Sequence, residues 1–218
     1  MENEKLHSYI ESLVPERNLL LSEMEGYAKE QNVPIMELAG IETMLQLLRI
    51  HQAKKILEVG TAIGYSALRM AEALPDASIV TIERDEERFQ LAEEFIHRSP
   101  NQEQIILIKG DALEVEEIVQ EHAPFDAIFI DAAKGQYRKF FELYSTYLHE
   151  DGIIITDNVL FKGLVTETEI ESKRTRSIVK KIDEFNRWLM NHLDYDSVIL
   201  PVGDGVAISK RKRGEKNG

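Results

Sequence analysis

The stretch Lys54–Ser66, KKILEVGTAIGYS, decides how the rest of the chain is interpreted. Its apolar residues, Ile56 and Leu57 continued by Val59, are typical of a buried parallel strand. Gly60 and Gly64 follow four positions apart, and they let the backbone turn sharply before a helix that begins near Tyr65. A strand, a glycine turn and a helix in succession present free backbone N–H groups, which suit a nucleotide-like ligand. The spacing G-x-x-x-G differs from the dinucleotide pattern G-x-G-x-x-G, so a plain structural turn stays open as the alternative.

The composition is that of an ordinary globular protein. The chain has 218 residues, 43% hydrophobic and 30% charged, which is enough for one sizeable domain with its own core. It contains no cysteine, which excludes disulfides and thiolate metal sites. No apolar run approaches the roughly 18 residues needed to cross a bilayer, so we predict a cytoplasmic protein without a membrane partner. The formal net charge of −13 argues against a protein that coats nucleic acid indiscriminately.

Helical patterns fill residues 1–53, ahead of the first strand. Apolar residues recur at helical spacing over 4–33, with a break at Pro15, and again over 35–52. These helices are interpreted either as a cap on the fold or as a lid or dimer surface beside a site. Both alternatives stay open.

From residue 54 onward the pattern changes to short strands that alternate with helices. Strands are predicted at 55–59, 78–83, 104–109, 125–130 and 152–156, and helices between them at 65–74, 86–98, 113–122 and 136–148. This alternation indicates βαβ crossovers and a parallel sheet.

The last part of the chain predicts a helix over 173–192 and two strands, at 195–200 and 205–209. Because the connection PVGD is short, these strands should form a hairpin, with the last strand antiparallel. We therefore predict one α/β domain, a Rossmann-like three-layer sandwich with a mostly parallel seven-stranded sheet. It would consist of N-terminal helices (1–53), the core (54–209) and a basic tail (210–218).

Polar side chains follow each of the first five strands at its carboxyl end, where ligands bind in open α/β sheets. They are Glu58 with Gly60, then Glu83, Asp111, Asp131, and Asp157 with Asn158. Glu83 follows Glu58 by about two dozen residues, where an acid can accept two hydrogen bonds from ribose hydroxyls. Any one of these residues is more simply a helix cap or a solvated loop residue. Five in succession predict a single ligand-binding rim.

Asp131, Asp157 and Asn158 form the most reactive part of this rim. Two carboxylates and an amide oxygen are hard ligands that suit Mg²⁺ or Ca²⁺ and leave positions open for water and substrate. An Asp-Asn pair alone would more simply cap a turn, but its pairing with Asp131 on the adjacent strand favours a metal site. Lys134 would then lie near a cation, and its pKa should fall. That makes Lys134 a candidate general base or substrate anchor, with a solvated lysine as the alternative.

These residues resemble the cation-dependent O-methyltransferases that use S-adenosylmethionine (SAM), the family of the catechol and caffeoyl-CoA enzymes. The resemblance covers roughly residues 35–209 and lies in Lys54–Ser66, 111–113, 125–137, 151–165 and 200–209. Within the family the sequence is most similar to bacterial tRNA 5-hydroxyuridine methyltransferases. The stretches that carry this closer similarity are VPIMELAG (33–40), GTAIGYSALRMA (60–71), IDAAKGQY (130–137), TDNVLFKGLV (156–165) and NRWLMNH (186–192).

The resemblance implies a class I methyltransferase fold and a set of cofactor contacts. Glu58 and Gly60 would lie against the methionine part of SAM, and Ser66 would contact its carboxylate. Glu83 would hold the ribose hydroxyls. The remaining contacts implied are Met36 over the cofactor, Asp111 and Ala112 beside the adenine, and Asp131 at the border with the metal. One departure, Thr61–Gly64 in place of a Thr-Phe-Thr-Gly pattern, affects only the packing around the cofactor.

The resemblance also implies the catalytic group. Asp131, Asp157 and Asn158 would hold Mg²⁺ or another divalent cation, and Lys134 would lie beside the acceptor oxygen, with Asp131 as its catalytic partner. A cation bound by two vicinal oxygens lowers the pKa of the acceptor and fixes its direction. Placing that oxygen near the methyl group contributes much of the remaining rate. Both a catechol and 5-hydroxyuracil offer such a pair, so these motifs do not discriminate between them.

Basic clusters outside the motifs favour a nucleic-acid acceptor. Six basic residues lie between positions 173 and 187 against two acids, and 210–213 are all basic. Such clusters could bind phosphates or could be a solvated helix face and a tail. We choose Arg174, Arg176 and Lys180 as RNA contacts. The leading hypothesis is methylation of 5-hydroxyuridine to 5-methoxyuridine at the tRNA wobble position, with the anticodon region as partner.

Two other functions are kept. One is a small-molecule catechol or caffeoyl-type O-methyltransferase with the same site, and the other is a non-catalytic SAM-binding module. Asp131, Asp157, Asn158 and Lys134 weigh against the second of these. A homodimer is expected from the family and from the apolar N-terminal helices.

Overall fold

A computed structural model describes residues 2–212 of the chain, with side chains from residue 5 onward; the part of the predicted basic tail at 213–218 lies outside this range. Seven strands form one mixed sheet in the order β3-β2-β1-β4-β5-β7-β6. The strands are β1 Lys55–Val59, β2 Ser78–Glu83, β3 Ile105–Lys109, β4 Phe125–Ile130, β5 Leu148–Thr156, β6 Tyr195–Leu200 and β7 Val206–Arg211. The predicted α/β fold is confirmed.

Strands β1 to β5 are parallel and the last hairpin is antiparallel, as the sequence predicts. Strand β7 pairs antiparallel with both β5 and β6. Its pairing extends beyond the predicted end at 209, because Lys210 lies opposite Ile153 and Arg211 lies opposite Tyr195. The prediction of a tail that begins at 210 is therefore wrong for these two residues, since two neighbouring strands supply partners for their backbone.

Eight α-helices cover the two faces and one end of the sheet within residues 2–212. They are α1 Glu2–Ser12, α2 Leu19–Gln31, α3 Leu38–His51, α4 Tyr65–Ala73, α5 Glu86–His97, α6 Glu116–Gln120, α7 Tyr137–Tyr144 and α8 Lys173–Met190. One hydrophobic core lies between the sheet and α2 to α5, and a second lies between the sheet and α7 and α8. No helix in the described part of the chain is long and apolar enough to span a membrane.

Helix α6 is shorter than the sequence predicts because a turn precedes it. The side chain of Asp111 accepts a hydrogen bond from the Leu113 amide, and its carbonyl accepts from Glu114 and Val115. These bonds satisfy the backbone that the predicted helix over 113–122 would have used. The helix then begins only at Glu116.

Helix α1 leaves most of its apolar side chains exposed. Leu6, Tyr9 and Ile10 are 57%, 60% and 46% exposed, and Leu13 just beyond the helix is 64% exposed. The expected homodimer stays a prediction, and this face is where it would most simply form.

Candidate active site

A cavity of about 280 Å³ opens at the carboxyl ends of the parallel strands. It lies where the strand order reverses between β1 and β4, which is the usual ligand crevice of such sheets. Seven predicted site residues line it together, namely Gly60, Glu83, Asp111, Ala112, Asp131, Lys134 and Asn158. The rim predicted from the strand ends is thus one continuous wall.

Gly60 allows β1 and β4 to approach each other at the floor of this cavity. Its backbone is left-handed, with φ of 104°, and a Cβ atom there would lie 2.1 Å from the carbonyl oxygen of Asp131. Any side chain would separate the two strands, so glycine is required at this position. The cofactor side and the cation side of the cavity meet at this contact.

Glu58 lies beneath the glycine turn and not on the cavity wall. Its carboxyl group is fully buried and accepts hydrogen bonds from the hydroxyls of Ser66 and Thr81. Burial raises the pKa of Glu58 to about 8, although both hydroxyls act in the opposite direction. Ser66 is therefore engaged by Glu58 and is absent from the cavity lining, so the cofactor contacts predicted for these two residues stay predictions.

Glu83 and Asp111 are held in place by backbone amides. The two carboxylate oxygens of Glu83 accept hydrogen bonds from Ala62 N and Asp85 N, each at 2.8 Å. Asp111 accepts from Leu113 N at 3.0 Å and from Arg84 at 3.2 Å, and these bonds, the first above all, lower its pKa. Both acids can still accept hydrogen bonds from a ligand on their cavity side.

The N-terminal segment borders the cavity, but through other residues than the predicted Met36. Met36 is 5% exposed, and its side chain packs against Gly40, where a Cβ would lie 3.3 Å from its terminal methyl. Pro34 and Ile35 line the cavity instead. The turn between α2 and α3 thus borders the site, and both the cap and the lid interpretations of these helices stay open.

The predicted metal ligands converge at the other end of the cavity. The Nζ of Lys134 donates a hydrogen bond to Oδ1 of Asn158, and Nδ2 of Asn158 donates to Oδ2 of Asp157 at 2.5 Å. Asn158 has a left-handed backbone, with φ of 60°, which turns its amide back over the strand end. Asp131 lies on the neighbouring strand end and also lines the cavity.

The acids of this group lack a matching positive charge. Burial, and then the charge of Asp131, raises the pKa of Asp157 to about 8. Burial also raises the pKa of Asp131, with Lys134 opposing the rise. Burial lowers the pKa of Lys134, in the direction that the sequence predicts. A divalent cation would stabilise both carboxylates here.

The donor set suits a hard cation. Within the described residues, no group of three or more acidic, histidine or cysteine side chains is placed to hold a metal. A cation site would therefore consist of two carboxylates and one amide oxygen, with further positions filled by water and substrate. That incomplete oxygen set is typical of Mg²⁺ sites that also bind substrate.

The structure adds Asp204, which no local sequence signal identifies as a site residue. It lies in the turn between β6 and β7, and β7 runs beside β5 in the opposite direction, so this turn meets the end of β5. The Asp204 side chain accepts from Lys162 N at 3.0 Å and its carbonyl accepts from Leu160 N at 2.8 Å. Gly205 is left-handed, and a Cβ there would lie 2.4 Å from Leu160. The turn therefore holds the loop that follows Asn158.

That loop carries two further left-handed residues, Phe161 and Lys162, with φ of 46° and 56°. The ring of Phe161 lies 5.5 Å from the Nζ of Lys134. An aromatic ring thus stands beside the amine predicted to contact the acceptor. Only the tertiary structure brings these two residues together.

The three residues predicted to contact RNA differ in the partners of their charged groups. The Arg176 guanidinium donates to the carbonyl of Ile170 at 2.6 and 3.1 Å, so it supports the loop. Lys180 lies 3.7 Å from Glu184 on an exposed helix face. Arg174 is exposed and has no hydrogen-bond or ion-pair partner within residues 2–212.

Comparisons with known proteins agree with this architecture. Residues 11–212 match the sequence profile of the O-methyltransferase family. A catechol O-methyltransferase of Niastella koreensis is 33% identical over 94% of this chain and 96% of its own length. Among solved structures, a candidate caffeoyl-CoA O-methyltransferase of Staphylococcus aureus is 36% identical with a TM-score of 0.85, covering 97% and 98% of the two chains.

A further solved structure contains the cofactor. The O-methyltransferase TomG of Streptomyces achromogenes, solved in complex with SAM, has a TM-score of 0.82 and is 25% identical, over 98% of this chain and 100% of its own. The fold is that of the class I methyltransferases. The chain belongs to the O-methyltransferase family.

Proposed function

We propose that this protein transfers a methyl group from SAM to one of two vicinal oxygens on a planar ring, with a divalent cation held by Asp131, Asp157 and Asn158. The observation that carries the proposal is that Lys134, Asn158 and Asp131 line the same cavity as Glu83 and Asp111. Asp157 lies buried behind Asn158, which is hydrogen-bonded to both Lys134 and Asp157. TomG, with SAM bound, supports the choice of cofactor.

The residues present fit both groups. Glu83, already oriented by two backbone amides, would accept from the ribose hydroxyls, and Asp111 with Ala112 would border the adenine. The Asp131 and Asp157 carboxylates with the Asn158 amide oxygen would hold the cation. When bound, the cation lowers the pKa of an acceptor hydroxyl and fixes its orientation.

Lys134 would act on the acceptor proton. Because burial lowers the pKa of Lys134, a larger fraction of its amine is unprotonated near neutral pH than in an exposed lysine. The neutral amine can accept the proton of the acceptor hydroxyl. Pro34 and Ile35 line the cavity and would help to exclude water when the cofactor is bound, while Gly60 keeps the ends of β1 and β4 in contact. The remaining contribution is placement of the two reacting atoms.

We infer that the acceptor is 5-hydroxyuridine at the tRNA wobble position. Two features of this chain support it: the similarity of 156–165 and 186–192 to the tRNA enzymes, and the charge at the start of α8. The first turn of α8 carries Lys173 and Arg174 and no acid. Positive side chains at a helix N-terminus destabilise it by roughly 0.3–1 kcal/mol each. An RNA phosphate bound there would reverse that cost.

A small diphenol is the second candidate acceptor. The similar proteins support a diphenol more directly than they support tRNA. One of them is a catechol O-methyltransferase, and another is a candidate caffeoyl-CoA O-methyltransferase. The ring of Phe161 beside Lys134 would pack equally well against a catechol or a uracil. The cavity alone therefore does not choose between the two.

Methyl transfer from labelled SAM separates the candidates. The purified protein is offered tRNA that carries 5-hydroxyuridine, or a panel of dihydroxyphenyl compounds, each with Mg²⁺ or with EDTA. We expect rapid, cation-dependent labelling of the tRNA and conversion to 5-methoxyuridine. Much faster labelling of a diphenol would replace the tRNA proposal by the second candidate. Labelling of neither, with SAM still bound, would favour a non-catalytic SAM-binding module.

A further inference from the structure

Three buried polar atoms cluster in sequence and structure around the candidate cation site. Within the described residues, the only buried side-chain oxygens or nitrogens without a hydrogen-bond partner are Gln136 Oε1, Tyr137 Oη and Asn186 Oδ1. Buried polar groups are almost always paired, so such atoms require an explanation. All three belong to the junction between the turn that follows Lys134 and helix α8.

This junction is tightly packed, which fixes the positions of its side chains. The ring of Tyr137 meets the ring of Phe185 edge to face, with centroids 5.5 Å apart. A Cβ at Gly135 would lie 3.2 Å from the side chain of Lys181, so α8 is pressed against the turn. The Tyr137 side chain has no room to swing its hydroxyl out to solvent, and the residue is 1% exposed.

The same junction holds the predicted metal-ligand loop. Nδ2 of Asn186 donates to the carbonyl of Val159, the residue after Asn158, at 2.7 Å. Tyr137 follows Asp131 by six positions and Lys134 by three. None of the three residues lines the cavity, so their unpartnered atoms belong to the packed junction that supports the loop.

The electrostatic surroundings of Tyr137 point the same way. Burial raises its pKa well above the ordinary value, and the negative charges of Asp131, Asp157 and Asp204 raise it further. The hydroxyl therefore stays protonated and is a donor close to three carboxylates. One hydroxyl and two amide oxygens supply the two to four partners that a buried water needs.

We propose that Tyr137 is a positioning residue of the cation site. Its hydroxyl donates, through water bound in this junction, to the carboxylates of Asp131 and Asp157 and holds them in the arrangement that binds the cation. Tyr137 does not touch the acceptor or the methyl group. This inference rests on the cation site of the proposed function, and groups that orient metal ligands in this way typically contribute 10–100-fold in metal affinity.

The test compares Tyr137→Phe with Tyr144→Phe. Tyr144 is buried on the same helix, but its hydroxyl donates to the carbonyl of Ala112 and thus has a partner. Mn²⁺ binding to the full-length protein, freed of metal with EDTA and then desalted, is measured by the electron paramagnetic resonance signal of free Mn²⁺. Thermal unfolding is recorded without metal.

We expect a crossed result. Tyr137→Phe should weaken Mn²⁺ binding by about 10-fold or more, while its unfolding temperature without metal stays equal to or above that of wild type, because the lost hydroxyl bonds to no group of the protein. Tyr144→Phe should lower the unfolding temperature and leave Mn²⁺ binding unchanged.

Wild-type affinity for Mn²⁺ in Tyr137→Phe would overturn the inference and leave the cation site standing. A lower unfolding temperature with unchanged Mn²⁺ binding would also overturn it, because the hydroxyl would then have a structural role. Absence of Mn²⁺ binding by the wild-type protein would overturn the cation site and this inference together.

Discussion

The two halves of the cavity are built in different ways. In the cofactor half, at the ends of β1 to β3, the acids are satisfied by the chain itself: Glu83 by two backbone amides and Glu58 by two hydroxyls. In the cation half, at the ends of β4 and β5, Asp157 has a pKa raised to about 8 and Tyr137 has an orphaned hydroxyl. In one half the chain itself supplies the partners of the acids, and in the other half buried polar groups lack them.

This difference predicts opposite responses to removing a carboxylate charge. In the cation half, a neutral replacement should relieve repulsion and stabilise the ligand-free protein while it abolishes activity. In the cofactor half, replacement of Glu83 should break hydrogen bonds from two backbone amides, which cannot rotate to pair with a neutral amide, and destabilise the protein. The predictions below test this contrast, from the largest expected effect to the smallest.

Asp157→Asn should lower the rate of methyl transfer by at least about 100-fold. Groups that only hydrogen-bond to metal ligands already contribute up to about 100-fold, and a ligand should contribute no less. Its carboxylate is 2% exposed and is raised in pKa by burial and by Asp131. At pH 8.5 in EDTA the variant should therefore unfold at a higher temperature than wild type, and added Mn²⁺ should no longer raise that temperature. Asp196→Asn, at an exposed position, is the matched control. Full activity of the Asp157 variant would refute the metal assignment.

Glu58→Gln tests the pH dependence of stability. The ordinary pKa of Glu58 is 4.5 and the folded value is about 8, so the folded state holds the proton more tightly. The stabilisation from this group is full below pH 4.5 and is lost as the pH rises through 8. Asp131 and Asp157 contribute with the same sign.

Glutamine is neutral throughout, and the hydroxyls of Ser66 and Thr81 can rotate to pair with its amide. The variant should therefore lose less stability than wild type between pH 5 and 8.5, measured by thermal unfolding in EDTA. Identical slopes for the two proteins would show that Glu58 does not hold its proton in the folded state.

The sequence makes the cofactor half far more predictable than the cation half. The strand of Ile56–Val59, the turn at Gly60 and the acid at Glu83 are each given by residues close in the chain. The orphaned hydroxyl of Tyr137 depends on Phe185, and the place of Asp204 depends on how β7 pairs with β5. Such contacts join segments that are distant in sequence, and the hydrophobic periodicity of the sequence does not predict them.

The same reason explains the corrections. Lys210 and Arg211 read as a basic tail by composition, but pairing with β5 and β6 makes them strand. The RNA contact predicted for Arg176 stays a prediction, and the structure adds that its guanidinium donates to the carbonyl of Ile170. Met36 is buried, while its neighbours Pro34 and Ile35 line the cavity. In each case packing adds contacts that the local pattern does not show.

Glu83→Gln is the counterpart of Asp157→Asn in the cofactor half. Both carboxylate oxygens of Glu83 accept hydrogen bonds from backbone amides. In the glutamine variant the side-chain NH₂ group would lie opposite one of these backbone N–H groups, which would lose its acceptor. A buried donor left without an acceptor costs roughly 1–3 kcal/mol. Since 1 kcal/mol corresponds to about 2–4 °C for a chain of this size, thermal unfolding should show a clear loss, and calorimetry should show weaker SAM binding. Glu93→Gln, at an exposed position in the middle of α5, should change neither. An unchanged unfolding temperature would remove the contrast between the halves.

Replacement of Lys173 and Arg174 by alanine should have the smallest effect and extends the contrast to the surface. These residues place positive charge at the N-terminus of α8, which is unfavourable for the helix. Without RNA, their replacement should therefore raise stability slightly. With tRNA the double variant should bind a few-fold more weakly, and the slope of log affinity against log salt should fall by about 1–2, one for each lost phosphate contact. Filter binding at several salt concentrations measures both.

Lys29→Ala with Lys54→Ala removes the same charge from exposed positions elsewhere and should leave the slope unchanged. If both double variants lower the slope equally, the tRNA attraction is a property of total charge and not of α8; if neither does, the small-molecule acceptor becomes the better proposal.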